Sequence, residues 1–329
     1  MAVSSKDTRI KLVRITHVYY THKDIEKAHE FLLDFGFQEV KRVGKDIYYR
    51  GSSAEPFVYS ARQGEEDVFG GAAFVVESES DLVAAQKLPG ATQIYELSDA
   101  PGGGRCVTFY DPVDNFPFHL VYGQSPHPDE KALPQLDLNF PTDKHRPGNK
   151  SQRFQKGPAP VHKLGHFGMC VTDFTKSYEF YTTHFNFKPS ETDAALSTAI
   201  QLVHDSTGKD VTTFLHLDRG NELVDHHCFF FFEGPESHVH HSSFETHDFD
   251  TQLLGHDWLR SKGYESCWGV GRHIMGSQIF DYWFDTSGFI VEHYVDGDLV
   301  DDKHPVNRTL ASPDNLHVWG PDLPPGFLQ

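Results

Sequence analysis

An internal repeat is the feature that most restricts what this chain can fold into. The segment THVYYTHKDIEKAHEFLLDFGF in the first half aligns with GHFGMCVTDFTKSYEFYTTHFNF in the second, and one constant offset places His17 opposite His166 and Asp24 opposite Asp173. Two further pairs follow in the same order, GGAAFVVES with HHSSFETHD and FYDPVDNFPFHLVYG with WFDTSGFIVEHYVDG. The chain is therefore a duplication, and each copy is expected to form the same supersecondary units.

Each copy begins with a strand pattern that changes into a helix pattern. Residues 9–22 alternate like a half-buried strand, and residues 24–35 follow the helical period, with Asp24 as N-cap and Gly36 as the helix stop. A second unit opens at GGAAFVVES and passes through a helix over roughly residues 80–87. The apolar faces predicted for the first helix and for its counterpart in the second half are Ile25, Ala28, Leu32 and Phe35, and Phe174, Tyr178, Tyr181 and Phe185.

Four such units, two in each half, predict an α+β protein made of two similar domains, each built from two βαβββ units. The halves are separated by residues 123–160, which hold seven of the chain's 19 prolines and the polar stretch TDKHRPGNKSQRFQKG. We interpret this segment as a surface linker. The predicted organisation is an N-terminal domain over residues 1–122, the linker, a C-terminal domain over 161–300 and a tail over 301–329.

Charge and cysteine content narrow the expected partners and compartment. The net charge is −18 and no run of Lys or Arg stands out, which argues against nucleic acid and anionic membranes and favours a small molecule. Cysteines 106, 170, 228 and 267 are far apart and form no CxxC motif. The start of the chain lacks the apolar core of a signal peptide, and no stretch of about 20 apolar residues appears. We therefore expect a cytoplasmic protein without a membrane span.

Three side chains in the second half have the types and the surroundings of a metal site. His166 in LGHFGMCV, His241 in HHSSFET and Glu292 in FIVEHY each lie in a short apolar or aromatic run with strand character. Two neutral imidazoles and one carboxylate can occupy one face of an octahedron and leave the other positions open. This combination suits a divalent iron that takes part in a reaction.

The repeat gives each of these residues a counterpart in the first half. His17, Gly71 and His119 occupy the equivalent positions. Glycine offers no ligand atom, so the first half is the poorer metal site. We therefore predict that the N-terminal domain is a degenerate structural partner without a metal.

These motifs resemble those of the type I extradiol, or catechol ring-cleaving, dioxygenases of the vicinal oxygen chelate (glyoxalase/bleomycin resistance) superfamily. In that family the first metal-binding His opens a strand, as in LGHFGMCV, a second stands in an HH-x-x-F pattern, as in HHSSF, and the Glu ends a D-x-x-G-x-x-x-E run, as in DTSGFIVE. The resemblance covers nearly the whole chain and is strongest over residues 160–295. It implies His166, His241 and Glu292 as the ligands, with His241 rather than His240 taken from the pair. It also implies that the tail over residues 301–329 lies over the active site.

The resemblance also implies which residues act beside the metal. The family pattern GRH-x-x-x-S/N-x-x-F-x-Y is similar to GRHIMGSQIFDY and gives His273 and Tyr282 as hydrogen-bond donors to metal-bound oxygens. A further family His stands shortly before the HH motif, where this chain offers both His226 and His227. Spacing favours His227 as the proton shuttle, with a pKa near neutrality. Cys228 follows it where the family often has Asp.

The function implied by the resemblance is extradiol cleavage of a catechol by O2, with Fe(II), or else Mn(II), as the metal. A homo-oligomer is also expected. Trp268, Tyr282 and the Phe229–Phe232 run predict an aromatic pocket that disfavours carboxylated catechols. Two alternatives stay open. One is a 2-oxo-acid dioxygenase on the same scaffold, which lacks the GRH…Y pattern, and the other is a metal-free binding protein, which iron content would distinguish.

Overall fold

Two large β-sheets, one in each half of the chain, organise the protein. The computed structural model describes residues 7–129, 133–189, 202–305, 308–310, 312 and 316–328. The described elements of the first half are β1 (Leu12–His22), α1 (Ile25–Phe35), β2 (Gln38–Val43), β3 (Asp46–Arg50), β4 (Tyr59–Gln63), β5 (Val68–Val76), α2 (Glu79–Ala85), β6 (Tyr95–Glu96), β7 (Arg105–Tyr110) and β8 (Pro117–Tyr122).

The second half repeats this order with additional strands. Its described elements are β9 (Val161–Val171), α3 (Phe174–His184), β10 (Phe187–Pro189), β11 (Leu202–His204), β12 (Asp210–Leu217), β13 (Val224–Asp225), β14 (Phe229–Glu233), β15 (His238–Thr246), α4 (Phe249–Lys262), β16 (Ser266–Arg272), a short 3-10 turn (Met275–Ser277), β17 (Ile279–Phe284), β18 (Ile290–Val295), β19 (Leu299–Val300) and β20 (Arg308–Leu310).

The two sheets follow the same plan. The strand order is β2-β3-β4-β1-β5-β8-β7-β6 in the first and β16-β17-β18-β15-β9-β14-β12-β11-β20 in the second, where β10 also pairs with β12. In both sheets the two strands that open the units pair antiparallel, β1 with β5 and β9 with β15. The strand that closes the second unit then runs parallel to its first strand, as β8 does to β5 and β18 to β15. The predicted α+β class with two similar halves is confirmed.

Three of the four units have the predicted βαβββ order. They begin at β1, β5 and β15, and each has one helix followed by three strands. The unit that begins at β9 departs from this order, because five described strands, β10 to β14, follow α3. Three of these, β10, β11 and β13, have only two or three residues, and β13 pairs with β19 outside the main sheet.

The helix α1 is confirmed at both ends. The side chain of Asp24 accepts a hydrogen bond from the backbone N–H of Lys27, and Gly36 ends the helix with φ +112°, in the region that favours glycine. Its buried residues are the four predicted ones and Phe31. The helix α2 spans Glu79–Ala85, close to the predicted residues 80–87.

The buried face predicted for α3 is partly wrong. Tyr178 is only half-buried, whereas Ser177 and Phe180 are buried. Ser177 and Tyr181 are four residues apart and lie on the row that faces the sheet, so Tyr178 lies to one side of that row. Phe185 is buried as predicted, but it follows the helix in an extended conformation.

One apolar core joins the two halves. Phe37 of the first half packs edge-on against Phe244 of β15, with ring centroids 4.7 Å apart. The Tyr20 hydroxyl of β1 and the Ser242 hydroxyl of β15 are hydrogen-bonded at 2.8 Å. Because side chains alternate along a strand, these contacts occupy one face of the central strands and leave the other face of each sheet for a possible site.

The segment between the two sheets has irregular structure. The described residues of 123–160 form no helix and only isolated bridges, such as Asn139 with Lys144. The helices of the described residues are all too short or too polar to cross a bilayer, the longest being α4 with 14 residues. The proposed domain limits at 122, 160 and 300 stay predictions.

Candidate metal centre

Three neighbouring strands bring the predicted ligands together. The register places His166 of β9 opposite Ser243 of β15, and it places Glu292 of β18 opposite the same serine. His241 lies two residues before Ser243 and so points to the same face of the sheet. The three residues, distant in sequence, therefore meet on one face of β9, β15 and β18.

The ligand atoms of this triad converge on a point. His166 Nε2 lies 3.0 Å from His241 Nε2 and 3.2 Å from Glu292 Oε2, and His241 Nε2 lies 3.5 Å from Glu292 Oε2. Ligand atoms on one face of an octahedron with bonds of about 2.1 Å are about 3 Å apart. Among the described residues, no other group of His, Cys, Asp or Glu has this arrangement.

Burial makes a cation the natural partner of this triad. All three side chains are buried, and Glu292 is 0% exposed. Within the described part of the chain, neither carboxylate oxygen of Glu292 has a hydrogen-bond donor. An ionised carboxylate in such a place is costly unless it is paired or coordinates a metal. The donor set and its geometry therefore fit a divalent metal.

The imidazole of His241 is oriented by a chain of hydrogen bonds that ends in the C-terminal tail. His240 Nε2 lies 2.5 Å from the carbonyl oxygen of Phe327, and His240 Nδ1 lies 2.7 Å from His241 Nδ1. A carbonyl only accepts, so the proton of neutral His240 is on Nε2 and its Nδ1 accepts from Nδ1–H of His241. This leaves the Nε2 lone pair of His241 free to bind a metal, an arrangement that raises ligand basicity.

The structure separates the two histidines that compete for the shuttle role. His227 lines the cavity beside the triad, with its ring centroid 4.2 Å from that of His166. His226 stands behind it, with the two Nδ1 atoms 3.0 Å apart, and does not line the cavity. Burial and the neighbouring imidazoles hold the pKa of His227 well below 6.5. The predicted pKa near neutrality is therefore wrong, and His227 is neutral at pH 7.

His273 and Tyr282 are hydrogen-bonded to each other. His273 Nδ1 donates to the carbonyl oxygen of Leu316 at 2.7 Å, so in the neutral ring Nε2 accepts from the Tyr282 hydroxyl at 2.9 Å. Burial lowers the pKa of His273, although the charge of Glu292 opposes this. In this arrangement His273 accepts, which differs from its predicted role as a donor. The Tyr282 hydroxyl carries the proton, and burial raises its pKa well above 10.

The equivalent positions of the first half have the same register. His17 of β1 and His119 of β8 both stand opposite Ala73 of β5. Ala73 thus occupies the place that Ser243 has in the second half. The correspondence inferred from the repeat therefore holds at the level of individual strand partners.

Among the described residues of the first half, no comparable ligand set is present. Gly71 has φ +105° and a Cβ added there would lie 2.3 Å from a backbone oxygen of β8, so a side chain would need the backbone to shift. His119 Nε2 donates to the carbonyl oxygen of Gly70 at 2.8 Å, and His17 Nε2 lies 3.0 Å from the Tyr19 hydroxyl. Both imidazoles therefore have partners in the protein itself.

A cavity of about 50 Å³ lies against the triad. Trp268 and Tyr282 line it as predicted, but of the Phe229–Phe232 run only Phe230 does so, because Phe229 and Phe231 alternate into the core. Several other lining residues were not named by any motif. These residues are Phe214, His240, Met275, Gln278, Leu316, Phe327 and Leu328. The usable signals were the adjacency of His240 to His241 and the prediction that the tail lies over the active site.

The second half of the chain is similar to known protein sequences. Residues 163–293 match the Glyoxalase/Bleomycin resistance protein/Dioxygenase superfamily. A curated relative, Metapyrocatechase 2 of Cupriavidus necator, is 25% identical over 228 residues, which is 68% of this chain. The alignment spans 63% of that relative's length, less than two thirds.

Solved structures are similar over nearly the whole chain. Homoprotocatechuate 2,3-dioxygenase from Arthrobacter globiformis has a TM-score of 0.77 at 18% identity, covering 100% of this chain and 94% of that one. The Mn(II)-bound glyoxalase from Novosphingobium aromaticivorans has a TM-score of 0.74 at 21% identity, covering 97% and 98%. Residues 163–293 are therefore similar to the Glyoxalase/Bleomycin resistance protein/Dioxygenase superfamily, and the two halves together have the same fold as these two solved structures.

Proposed function

We propose that the protein cleaves a catechol ring in the extradiol position, with O2 as oxidant and a divalent iron held by His166, His241 and Glu292. The observation that carries this proposal is that His166 and His241 of the triad border one aromatic cavity together with His227 and Tyr282. The third ligand, Glu292, lies behind this lining, with Oε2 3.2 Å from His166 Nε2 and 3.5 Å from His241 Nε2. When bound, such an iron supplies open coordination positions and the electron transfer that O2 and a closed-shell ring require. The names of the relative and of the homoprotocatechuate dioxygenase support the same reaction class.

His227 is proposed to move the protons. A catechol loses protons as it binds, and its ring-opened product regains them, so a base must stand beside the hydroxyl groups. His227 is buried, neutral at pH 7 and next to His166, which places it to accept such a proton and return it later. His226 is one layer further from the cavity and is the alternative for this role.

Tyr282 is proposed to orient a substrate oxygen. Its hydroxyl keeps its proton because burial raises its pKa, and it now donates to His273. The hydroxyl has a single proton, so a substrate oxygen that enters the cavity would replace His273 as its acceptor. Until then, His273, held by the Leu316 carbonyl, fixes the position of the hydroxyl beside the site. Hydrogen bonds of this kind stabilise charge that develops during a reaction.

Fe(II) is the proposed metal, with Mn(II) as the alternative, because the ligand preferences of the two ions overlap. The protein is also proposed to act in the cytoplasm, since all four cysteines are free thiols, as expected in a reducing compartment. The homo-oligomer stays a prediction.

Metal-dependent oxygen consumption tests the proposed reaction. Protein stripped with a chelator is expected to be inactive towards catechol, and loading with Fe(II) without oxygen, followed by aeration, should start O2 uptake and colour formation. A parallel sample loaded with Mn(II) decides between the two metals. Protein that retains no more than trace iron after loading would instead be a binding module, and CO2 release from a 2-oxo acid would indicate the other dioxygenase class.

A further inference from the structure

Two cavities lie on either side of the turn formed by residues 324–327. The inner one is the metal cavity of about 50 Å³. The outer one has a volume of about 460 Å³ and opens to solvent beside Glu265 and Ser266, both of which are exposed. His240 and Phe327 line both cavities and therefore form the wall between them.

The inner cavity is too small for a catechol. An apolar cavity of about 150 Å³ holds one benzene molecule, which is about three times the volume available here. The site must therefore widen when a catechol binds. Strands of the second sheet form much of the wall and carry the triad, so a change on that side would disturb the ligands. Leu316, Phe327 and Leu328 of the tail form much of the remaining wall, beside Met275 and Gln278.

Phe327 is the tail side chain best placed to move. It is 8% exposed, although its neighbours Gly326 and Leu328 are exposed. Within the described residues, a single hydrogen bond, from His240 Nε2 to the Phe327 carbonyl oxygen, joins this last turn to the sheet. The other contacts of Phe327 with the sheet are apolar, its ring centroid lying 5.0 Å from those of Trp268 and Tyr282. Movement of the turn would merge the inner cavity with the outer one.

The segment just before this turn is held by more hydrogen bonds. Trp268 Nε1 donates to the carbonyl oxygen of Pro321 at 2.9 Å. The backbone N–H of Arg272 donates a hydrogen bond to the carbonyl oxygen of Trp319, with an N–O distance of 2.8 Å. These contacts fix the tail upstream, so that movement at the last turn does not require the whole tail to detach.

The outer cavity has the character of a site for an apolar group. Val239, Phe284, Phe289 and Ile290 contribute much of its lining. Among the described residues that line either cavity there is no Lys or Arg, and Glu265 adds a negative charge at the rim. An anionic substituent would therefore find no counter-charge, whereas an alkyl or aryl substituent would be removed from water.

We propose that Phe327 is a movable wall that determines substrate specificity, and that the substrate is a catechol with an uncharged apolar substituent. Phe327 moves outward when such a catechol binds, and the substituent then occupies the outer cavity. His240 is the positioning residue, because its hydrogen bond holds Phe327 in the closed position. This inference rests on the proposed function and adds the substrate class to it.

Substrate discrimination by Phe327 variants tests the proposal. With Fe(II)-loaded protein, 4-butylcatechol should have a kcat/KM roughly tenfold or more above that of catechol, and 3,4-dihydroxybenzoate should be the poorest of the three. Phe327→Ala should raise the butylcatechol-to-catechol ratio further by roughly tenfold, and Phe327→Trp should lower it. Val318→Ala is the matched control, because that tail residue is 63% exposed and lies outside both cavities.

The outcomes separate this inference from the proposed function. If the wild-type protein cleaves no catechol, the proposed function fails. If it cleaves all three but Phe327→Ala leaves the ratios unchanged, or if the carboxylated catechol is preferred, only the assignment of Phe327 or of the substrate class is overturned.

A second measurement tests the role of His240 without relying on turnover. Amide hydrogen exchange of the peptide that contains residues 324–328 is measured in metal-free protein, so that any effect on metal binding cannot interfere. His240→Leu should speed exchange of this peptide by roughly tenfold or more, and His240→Gln, which can still donate a hydrogen bond, should largely restore protection. Equal exchange in the wild type and in His240→Leu would contradict the proposed tether.

Discussion

His166→Ala, His241→Ala and Glu292→Ala are each expected to purify with almost no iron. Mutation of a residue that only orients a metal ligand typically lowers metal affinity by about 10–100-fold. Removal of a ligand itself should therefore lower the affinity by at least about 100-fold. Glu292→Ala should have the largest effect, because it removes the negative charge from a buried site whose other two ligands are neutral. Metal analysis of protein loaded with Fe(II) without oxygen measures the result directly.

The first half supplies the matched controls for this experiment. His17→Ala and His119→Ala replace buried histidines at the equivalent positions of the other sheet, where the third position is Gly71. Both variants should retain full iron. Full iron in His241→Ala together with loss of iron in His240→Ala would show that the wrong histidine of the pair had been chosen.

His227→Asn is expected to bind iron and catechol normally but to turn over about 10²–10⁴ times more slowly. The reason is that His227 borders the cavity but is not one of the three metal ligands. His240 and His273 also border it, but both are hydrogen-bonded to carbonyl oxygens of the tail. Single-turnover measurements on the anaerobic substrate complex, mixed rapidly with O2, separate this loss from any change in binding. Iron content is measured on the same sample.

His226→Asn is the companion variant. His226 contacts His227 through Nδ1 but lies outside the cavity, so a smaller reduction in turnover is expected. Should His226→Asn show the large defect while His227→Asn behaves like the wild type, the two residues exchange roles.

The fold and the triad were predictable because the repeat and the strand register carry the same information. The repeat sets His17 opposite His166 and, with a gap of one residue, His119 opposite Glu292. In the sheets, His17 and His119 flank Ala73 of β5, and His166 and Glu292 flank Ser243 of β15. His241 lies two residues before Ser243, so the alternation of side chains along β15 places it on the same face as His166 and Glu292. Local sequence patterns therefore contain this part of the site.

The rest of the site depends on contacts that local patterns do not contain. The hydrogen bond of His240 to Phe327 joins residues 87 positions apart, and the tail that provides the carbonyl has no regular pattern to align. The acceptor state of His273 follows from the Leu316 carbonyl, 43 positions away. Likewise, the low pKa of His227 results from burial among other imidazoles, which only the packed structure reveals.

The structure of the product from unsubstituted catechol tests the central claim most directly. A site with two imidazoles and one carboxylate is expected to hold a divalent metal. The ring is then expected to be cut beside one of the two hydroxyl-bearing carbons, rather than between them. Iron-loaded protein should therefore convert catechol to a ring-opened semialdehyde that absorbs in the near-visible, with one O2 consumed per ring, as mass spectrometry with labelled O2 and an oxygen electrode can establish. A colourless dicarboxylic muconate would contradict the account, even if iron were bound by His166, His241 and Glu292.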